Sequence, residues 1–124
     1  MDFYKCKHCG NMVVMLKNSG VPMICCGEDM VKITENIVDA AFEKHVPAVQ
    51  RNGSILEIQI GSVVHPMLEN HYIEWIIMET NSGYQVKYLH PGEEPKAKFI
   101  LNENEQPQKV YEYCNLHGLW SISL

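Results

Sequence analysis

Positive charge is scarce in this chain. Its 124 residues carry 10 Lys and Arg against 15 Asp and Glu, a formal net charge of −5. That leaves no basic footprint for nucleic acid. A small anionic ligand would need a local cation to draw it in against the overall field. Long apolar runs are missing too. Nothing approaches the roughly 20 residues of a membrane-spanning helix, and Met1-Asp2-Phe3-Tyr4-Lys5 lacks an apolar signal core. The cytoplasm is therefore the expected compartment, with no membrane partner. Internal repeats and low-complexity stretches are absent, and no convincing helical periodicity follows Ile37. After residue 26 cysteine all but disappears, with Cys114 alone in the remainder.

The other four cysteines are crowded together, in Cys6-Lys7-His8-Cys9 and Cys25-Cys26. In a reducing compartment an odd cysteine total clustered this way favours metal over disulfide. Residues 1–36 are too few to bury a core unaided, so a bound metal or a disulfide has to supply the missing stabilisation. Tyr4 to about Thr34 reads as two knuckles. Cys6 to Gly10 makes one turn, Met12 to Leu16 a short strand, Asn18-Ser19-Gly20 a hairpin turn and Cys25-Cys26-Gly27 the second turn. Four sulfurs hold zinc or iron in a tetrahedron with bonds of about 2.3 Å. Neighbouring α-carbons lie about 3.8 Å apart and extended neighbours point opposite ways, so Cys25 and Cys26 reach one metal only through a bent, strained backbone. With four thiols completing the shell, His8 is a solvated turn residue.

Residues 37–124 read as strands. Leu56, Ile58 and Ile60 alternate with Ile55, Glu57 and Gln59, after an Asn52-Gly53 turn. His71, Ile73 and Trp75 are expected on one strand face and Tyr72, Glu74 and Ile76 on the other. Asn81-Ser82-Gly83 turns the chain into Tyr84 to Leu89, and further strands are expected at 97–101, 109–113 and 119–122. The expected fold is mainly β, a small metal-knuckle domain followed by an antiparallel sandwich or barrel.

This second region carries His45 before Val46-Pro47, His65 before Pro66, His71 at a strand start, and His117 three residues after Cys114. Each histidine alone is more often a surface or satisfied core residue, and Cys114 alone a buried apolar one. Jointly they offer four imidazoles and one thiolate. Five such donors suit iron or copper better than zinc and leave one octahedral position open. His90, before Pro91-Gly92, fits an ordinary turn.

These residues carry a family resemblance across essentially the whole chain. The segments are Tyr4-Lys5-Cys6 through Cys9-Gly10-Asn11, Cys25-Cys26-Gly27-Glu28, Glu43-Lys44-His45-Val46-Pro47, Gly61-Ser62-Val63 with His65-Pro66-Met67, His71 to Ile76, and Glu112 to Trp120. The chain resembles the desulfoferrodoxins, two-iron superoxide reductases. The resemblance implies a desulforedoxin-like domain holding ferric iron, Fe(3+), through Cys6, Cys9, Cys25 and Cys26. It implies an immunoglobulin-like β-sandwich whose ferrous iron, Fe(2+), is held by His45, His65, His71 and His117, with Cys114 axial. The implied activity is one-electron reduction of superoxide to hydrogen peroxide. Lys44 is the candidate for steering superoxide and for organising the water that supplies protons, and Glu43 the carboxylate for the sixth position of the ferric ion. A homodimer and a rubredoxin-like electron donor are implied as partners. The alternative is a cupredoxin-like copper electron carrier, which calls for a Met shortly after His117 and leaves two histidines idle; Gly118 to Leu124 contains no Met. A zinc-ribbon interaction module is the third reading.

Overall fold

The computed structural model describes every residue except Asp39. The chain divides into two compact units, Met1–Thr34 and Glu35–Leu124. Among the described residues no helix is long and apolar enough to cross a membrane.

The first unit holds β1 (Phe3–Lys5), β2 (Met12–Val14), β3 (Ile24–Cys25), β4 (Glu28–Asp29) and β5 (Val31–Ile33). One antiparallel sheet runs β2-β1-β5, and β3 and β4 form a separate hairpin. The Cys6–Asn11 knuckle itself joins β1 to β2, closed by Cys6 N–H to Asn11 O (2.8 Å) and Gly10 N–H to Cys6 O (3.2 Å). Because β2 is thereby committed to β1, the Asn18-Ser19-Gly20 turn closes no hairpin. Gly20 N–H donates instead to the Asn18 side chain at 2.8 Å, an Asx turn in a connecting loop.

The second unit begins with α1 (Phe42–His45), then β6 (Pro47–Asn52), β7 (Ile55–Ile60), β8 (Ile73–Thr80), β9 (Tyr84–Tyr88), β10 (Lys96–Ile100), β11 (Pro107–Cys114) and β12 (Gly118–Ser123). A three-stranded sheet β10-β7-β6 faces a four-stranded sheet β12-β11-β8-β9. Leu56, Ile58, Ile60 and Phe99 from the first meet Ile76, Met78, Val110 and Cys114 from the second in one core. This is the expected antiparallel sandwich. Both expected hairpin turns form, β6 meeting β7 around Gly53 (φ +63°) and β8 meeting β9 around 81–83.

Two local features differ from the sequence reading. The first is α1, a single turn too short to leave a periodic signature; four residues hold a helix only through outside contacts. The second lies in β8. Tyr113 of β11 pairs with Trp75 while Cys114 pairs with Ile73, so one extra residue, Glu74, sits in a bulge. The bulge breaks the alternation. Ile73 and Ile76 both enter the core, and Trp75 stays partly exposed, stacked on Tyr113 at 5.7 Å and 14°.

Candidate metal centres

The structure gathers the four N-terminal cysteines, with all sulfurs within 4.8 Å of one another. Cys9 and Cys25 Sγ are 3.6 Å apart, close to the ~3.8 Å edge of a tetrahedron with 2.3 Å bonds. The adjacent pair is accommodated by the β3–β4 hairpin. Cys25 ends β3, and Cys26-Gly27 forms a two-residue loop with φ of +53° and +76°. Positive φ at both central positions is the I′ pattern. The left-handed backbone at Cys26 costs about 1–2 kcal/mol, and it supplies the bend that two neighbouring thiols need.

Backbone donors are aimed at these sulfurs. His8 and Cys9 N–H point to Cys6 Sγ at 3.4 and 3.5 Å, and Asn11 N–H to Cys9 Sγ at 3.4 Å. Those from Cys9 and His8 bring the Cys6 thiol down to about 6. Cys26, crowded by Cys9, Cys6 and Cys25, is pushed up to about 12. Four thiolates at this spacing therefore call for a cation. His8 is exposed and pairs with Glu28 at 3.1 Å, away from any ligand role.

In the second unit the imidazoles of His45, His65, His71 and His117 form a closed ring. Centroids of successive rings lie 4.7 (His45–His65), 4.7 (His65–His71), 5.1 (His71–His117) and 4.9 Å (His117–His45) apart, with the His45–His71 diagonal at 6.5 Å. Neighbouring rings stand at 76–87° to one another. Four sides near 5 Å and a longer diagonal describe a square. Cys114 Sγ groups with ring nitrogens of His45, His65 and His71 within 4.8 Å and lies 3.9 Å from His117 Nδ1. His65 and Cys114 are buried, as is His45. The β8 bulge sets Ile73 opposite Cys114 just after His71 leaves its bridge to Leu68.

The donor set fits a metal for a reason visible in the hydrogen bonds. His45 Nδ1 bonds to Ala41 O at 2.8 Å and His65 Nδ1 to Pro66 O at 2.6 Å. Donation to a carbonyl places the proton of each neutral ring on the outside. The two Nε2 atoms then face each other as lone pairs at 3.2 Å, with His117 Nδ1 3.0 Å from His45 Nε2. Two nitrogens about 2.1 Å from one metal at right angles lie about 3.0 Å apart. His71 Nε2 is buried and finds no hydrogen-bond partner among the described residues. Inward lone pairs held by outer hydrogen bonds are the usual arrangement of metal-binding histidines.

Burial pushes the His65 imidazole down to about 4, and burial likewise lowers His45 and His71. The Lys44 ammonium adds to the lowering at both His45 and His71, so its field reaches the square from exposed α1. Glu43 is also exposed on α1, and its carbonyl accepts from Val63 N–H at 2.9 Å. Burial raises the Cys114 thiol, and the His117 and Leu116 N–H groups pull it back. These are the donors expected to temper the sulfur.

Two neighbours inside the 112–120 segment have no role assigned from sequence. Glu112, two residues before Cys114, is fully buried with neither carboxylate oxygen partnered among the described residues, and burial raises it well above the usual carboxylate range. Trp120, three residues after His117, stacks on His45. An aromatic three residues after the Cys-x-x-His turn is the signal the sequence offers for it.

The histidines and Glu112 oppose each other in acid. An unfolded imidazole takes a proton near 6.5, whereas folded His65 resists until about 4. The unfolded chain then binds more protons, so this stability is lost as pH falls through that window. Glu112, raised in the fold, has the opposite sign; its contribution is present in acid and lost as pH rises. The demetallated Glu112→Gln chain should therefore show a thermal midpoint that drops steadily from pH 6.5 to 4. A flat midpoint would show that burial does not hold these imidazoles neutral.

Comparison with known proteins places both units. Residues 37–123 match the desulfoferrodoxin family and residues 1–33 the desulfoferrodoxin N-terminal domain. A desulfoferrodoxin of Syntrophotalea carbinolica is 46% identical over 121 residues, covering 98% of this chain and 94% of that protein. A desulforedoxin of Megalodesulfovibrio gigas is 55% identical over 31 residues, covering 25% of this chain and 84% of that protein. The crystal structure of the superoxide reductase from Treponema pallidum superposes with a TM-score of 0.83 at 35% identity, covering 98% of each chain.

Proposed function

The chain belongs to the desulfoferrodoxin family, and we infer that it is a superoxide reductase, converting superoxide with one electron and two protons to hydrogen peroxide. The observation that carries this reading is the square of four imidazoles with Cys114 beside it. His45, His65, His71, His117 and Cys114 would hold one iron, and Cys6, Cys9, Cys25 and Cys26 another. Bound iron supplies a one-electron couple and a Lewis-acidic position for an anion.

The rest of the work falls to the chain. Neutral imidazoles bring no negative charge to the site, so it stays attractive to an anion. Lys44, whose charge is felt at His45 and His71, draws superoxide in against the overall charge of −5 and orders the water that donates protons. Glu43, its neighbour on α1, is the carboxylate that closes the site after turnover. The N–H groups of Leu116 and His117 hold the Cys114 charge in check. The four cysteines in residues 1–36 would hold ferric iron, and the four histidines and Cys114 in residues 37–124 would hold ferrous iron. Five free cysteines support a reducing, cytoplasmic setting and a role in oxidative-stress detoxification. Exposed Leu16, Val21 and Ile24 on so small a first unit support a homodimer. A one-electron reaction calls for a one-electron carrier, and a rubredoxin-like protein is the donor proposed.

Pulse radiolysis of the reduced, iron-loaded protein tests the activity. One hydrogen peroxide should form per superoxide, with no dioxygen released; dioxygen would mean dismutation. Metal analysis should find two irons per chain, and copper would favour the electron carrier. In the same assay Lys44→Ala should slow the reaction about 10-fold at low salt, and the difference should shrink as the Debye length falls to about 10 Å at 0.1 M. An unchanged rate constant would remove Lys44 from the reaction.

A further inference from the structure

We propose that Trp120 is the positioning residue of the histidine square, one indole fixing the ring of His45 and the turn of His117 together. The inference rests on the ligand assignment above. The Trp120 side chain is fully buried, and its ring lies 4.9 Å from that of His45 at 26°. Its Nε1–H donates to the His117 carbonyl at 3.1 Å. Phe42 meets the same indole edge-on, at 5.1 Å and 86°.

Each contact answers a weakness in the local structure. α1 is one turn long, and Ala41 at its N-cap offers no side-chain cap. Such a turn does not hold its own geometry. Phe42 and His45 are three residues apart, so they project from the same side of the turn, and both rest on Trp120. The indole thus sets the rotation of α1, and with it the aim of His45 Nε2, while Ala41 O fixes only the far nitrogen of that ring. His117 lies between Cys114 and Gly118, in the turn from β11 to β12. The bond from Trp120 folds β12 back onto this turn and holds the His117 backbone, so that Nδ1 stays 3.0 Å from His45 Nε2. Two ligands separated by most of the unit are therefore registered through one side chain. Nothing in the reaction requires the indole to touch substrate.

The test uses full-length protein loaded with iron, and reads irons retained per chain against a chelator together with the electron paramagnetic resonance signature of the oxidised catalytic iron. Trp120→Phe keeps a ring against His45 and loses the N–H. Trp120→Leu loses both. Trp120→Leu should hold the second iron about 10- to 100-fold more weakly, Trp120→Phe should lie between it and the parent, and both should change the ferric signature. Phe42 is 56% exposed, so Phe42→Ala removes one support of α1 without opening the core, and it should shift the signature in the same direction. A parent chain with two irons and three variants matching it in affinity and signature would overturn the inference alone. If the parent keeps its second iron when His45 is replaced by Ala, the ligand assignment falls and takes the inference with it.

Discussion

Cys114→Ser should cut superoxide reduction at least ~100-fold and lower the iron content from two per chain to one. Serine is nearly isosteric, so the core around the site should close as before. Cys114 has no exposed surface and packs in the cluster with Ile73 and Ile76. What is lost is the charge and the softness of the donor. A hydroxyl in that apolar setting stays protonated at neutral pH and is a poor partner for iron beside four imidazoles. The N–H groups of His117 and Leu116 would still point at the site, but with no thiolate to moderate. Any iron that remained would lack the thiolate's negative charge and should show a raised potential, since ligand identity is a principal lever on it. The tetrathiolate centre serves as the control within the same chain, because its sulfurs come from other residues altogether. Retention of two irons with near-parental activity would show that Cys114 is not a ligand.

The sequence exposes its chemistry more readily than its geometry. The alternation of Leu56, Ile58 and Ile60 translates directly into the buried face of β7, because a two-residue period in a half-covered strand has one solution. The same reasoning fails at Ile73 and Trp75. Alternation assumes an unbroken ladder, and the register shift opposite Cys114 follows from pairing with a strand distant in sequence. The single turn α1 has too few residues for any period; its contacts outside the turn include Phe42 against Trp120 and Glu43 O accepting from Val63 N–H. The four N-terminal cysteines were legible as one site, including the strain at Cys25-Cys26. The means of relieving it, a left-handed Cys26 in a two-residue hairpin loop, depended on β3 and β4 pairing so closely around it. The histidines were legible as a set only through their surrounding motifs. Their arrangement into a square, and the outward hydrogen bonds that turn their lone pairs inward, belong to backbone carbonyls that no pattern of side chains reveals.

Gly61→Ala should destabilise the second unit by about 3 kcal/mol or more and lower its thermal midpoint by roughly 15 °C. The second iron should be lost along with it. Gly61 has φ of +81°, and a methyl group there would lie 2.2 Å from the Val63 carbonyl oxygen, 2.7 Å from that of Lys44 and 2.9 Å from that of Glu43. All three atoms are backbone, so no rotamer change relieves the overlap. The Glu43 carbonyl and the Gly61 amide are also tied in place. Glu43 O accepts from Val63 N–H (2.9 Å) and the Ser62 hydroxyl (3.3 Å), and Gly61 N–H donates to Val46 O at 3.2 Å. The loop thus wraps the carbonyl end of α1, with His45 on one side of the contact and His65 on the other. Making room for a methyl group pushes His45 and His65 apart, whose Nε2 atoms lie 3.2 Å from each other. Gly53→Ala is the matched control. Gly53 also has positive φ, +63°, but an added carbon would meet nothing within 4 Å. It should cost only the backbone term, about 1–2 kcal/mol, and leave the iron in place. If the two variants melt together and hold iron equally, close approach at Gly61 is not what keeps His45 and His65 in register.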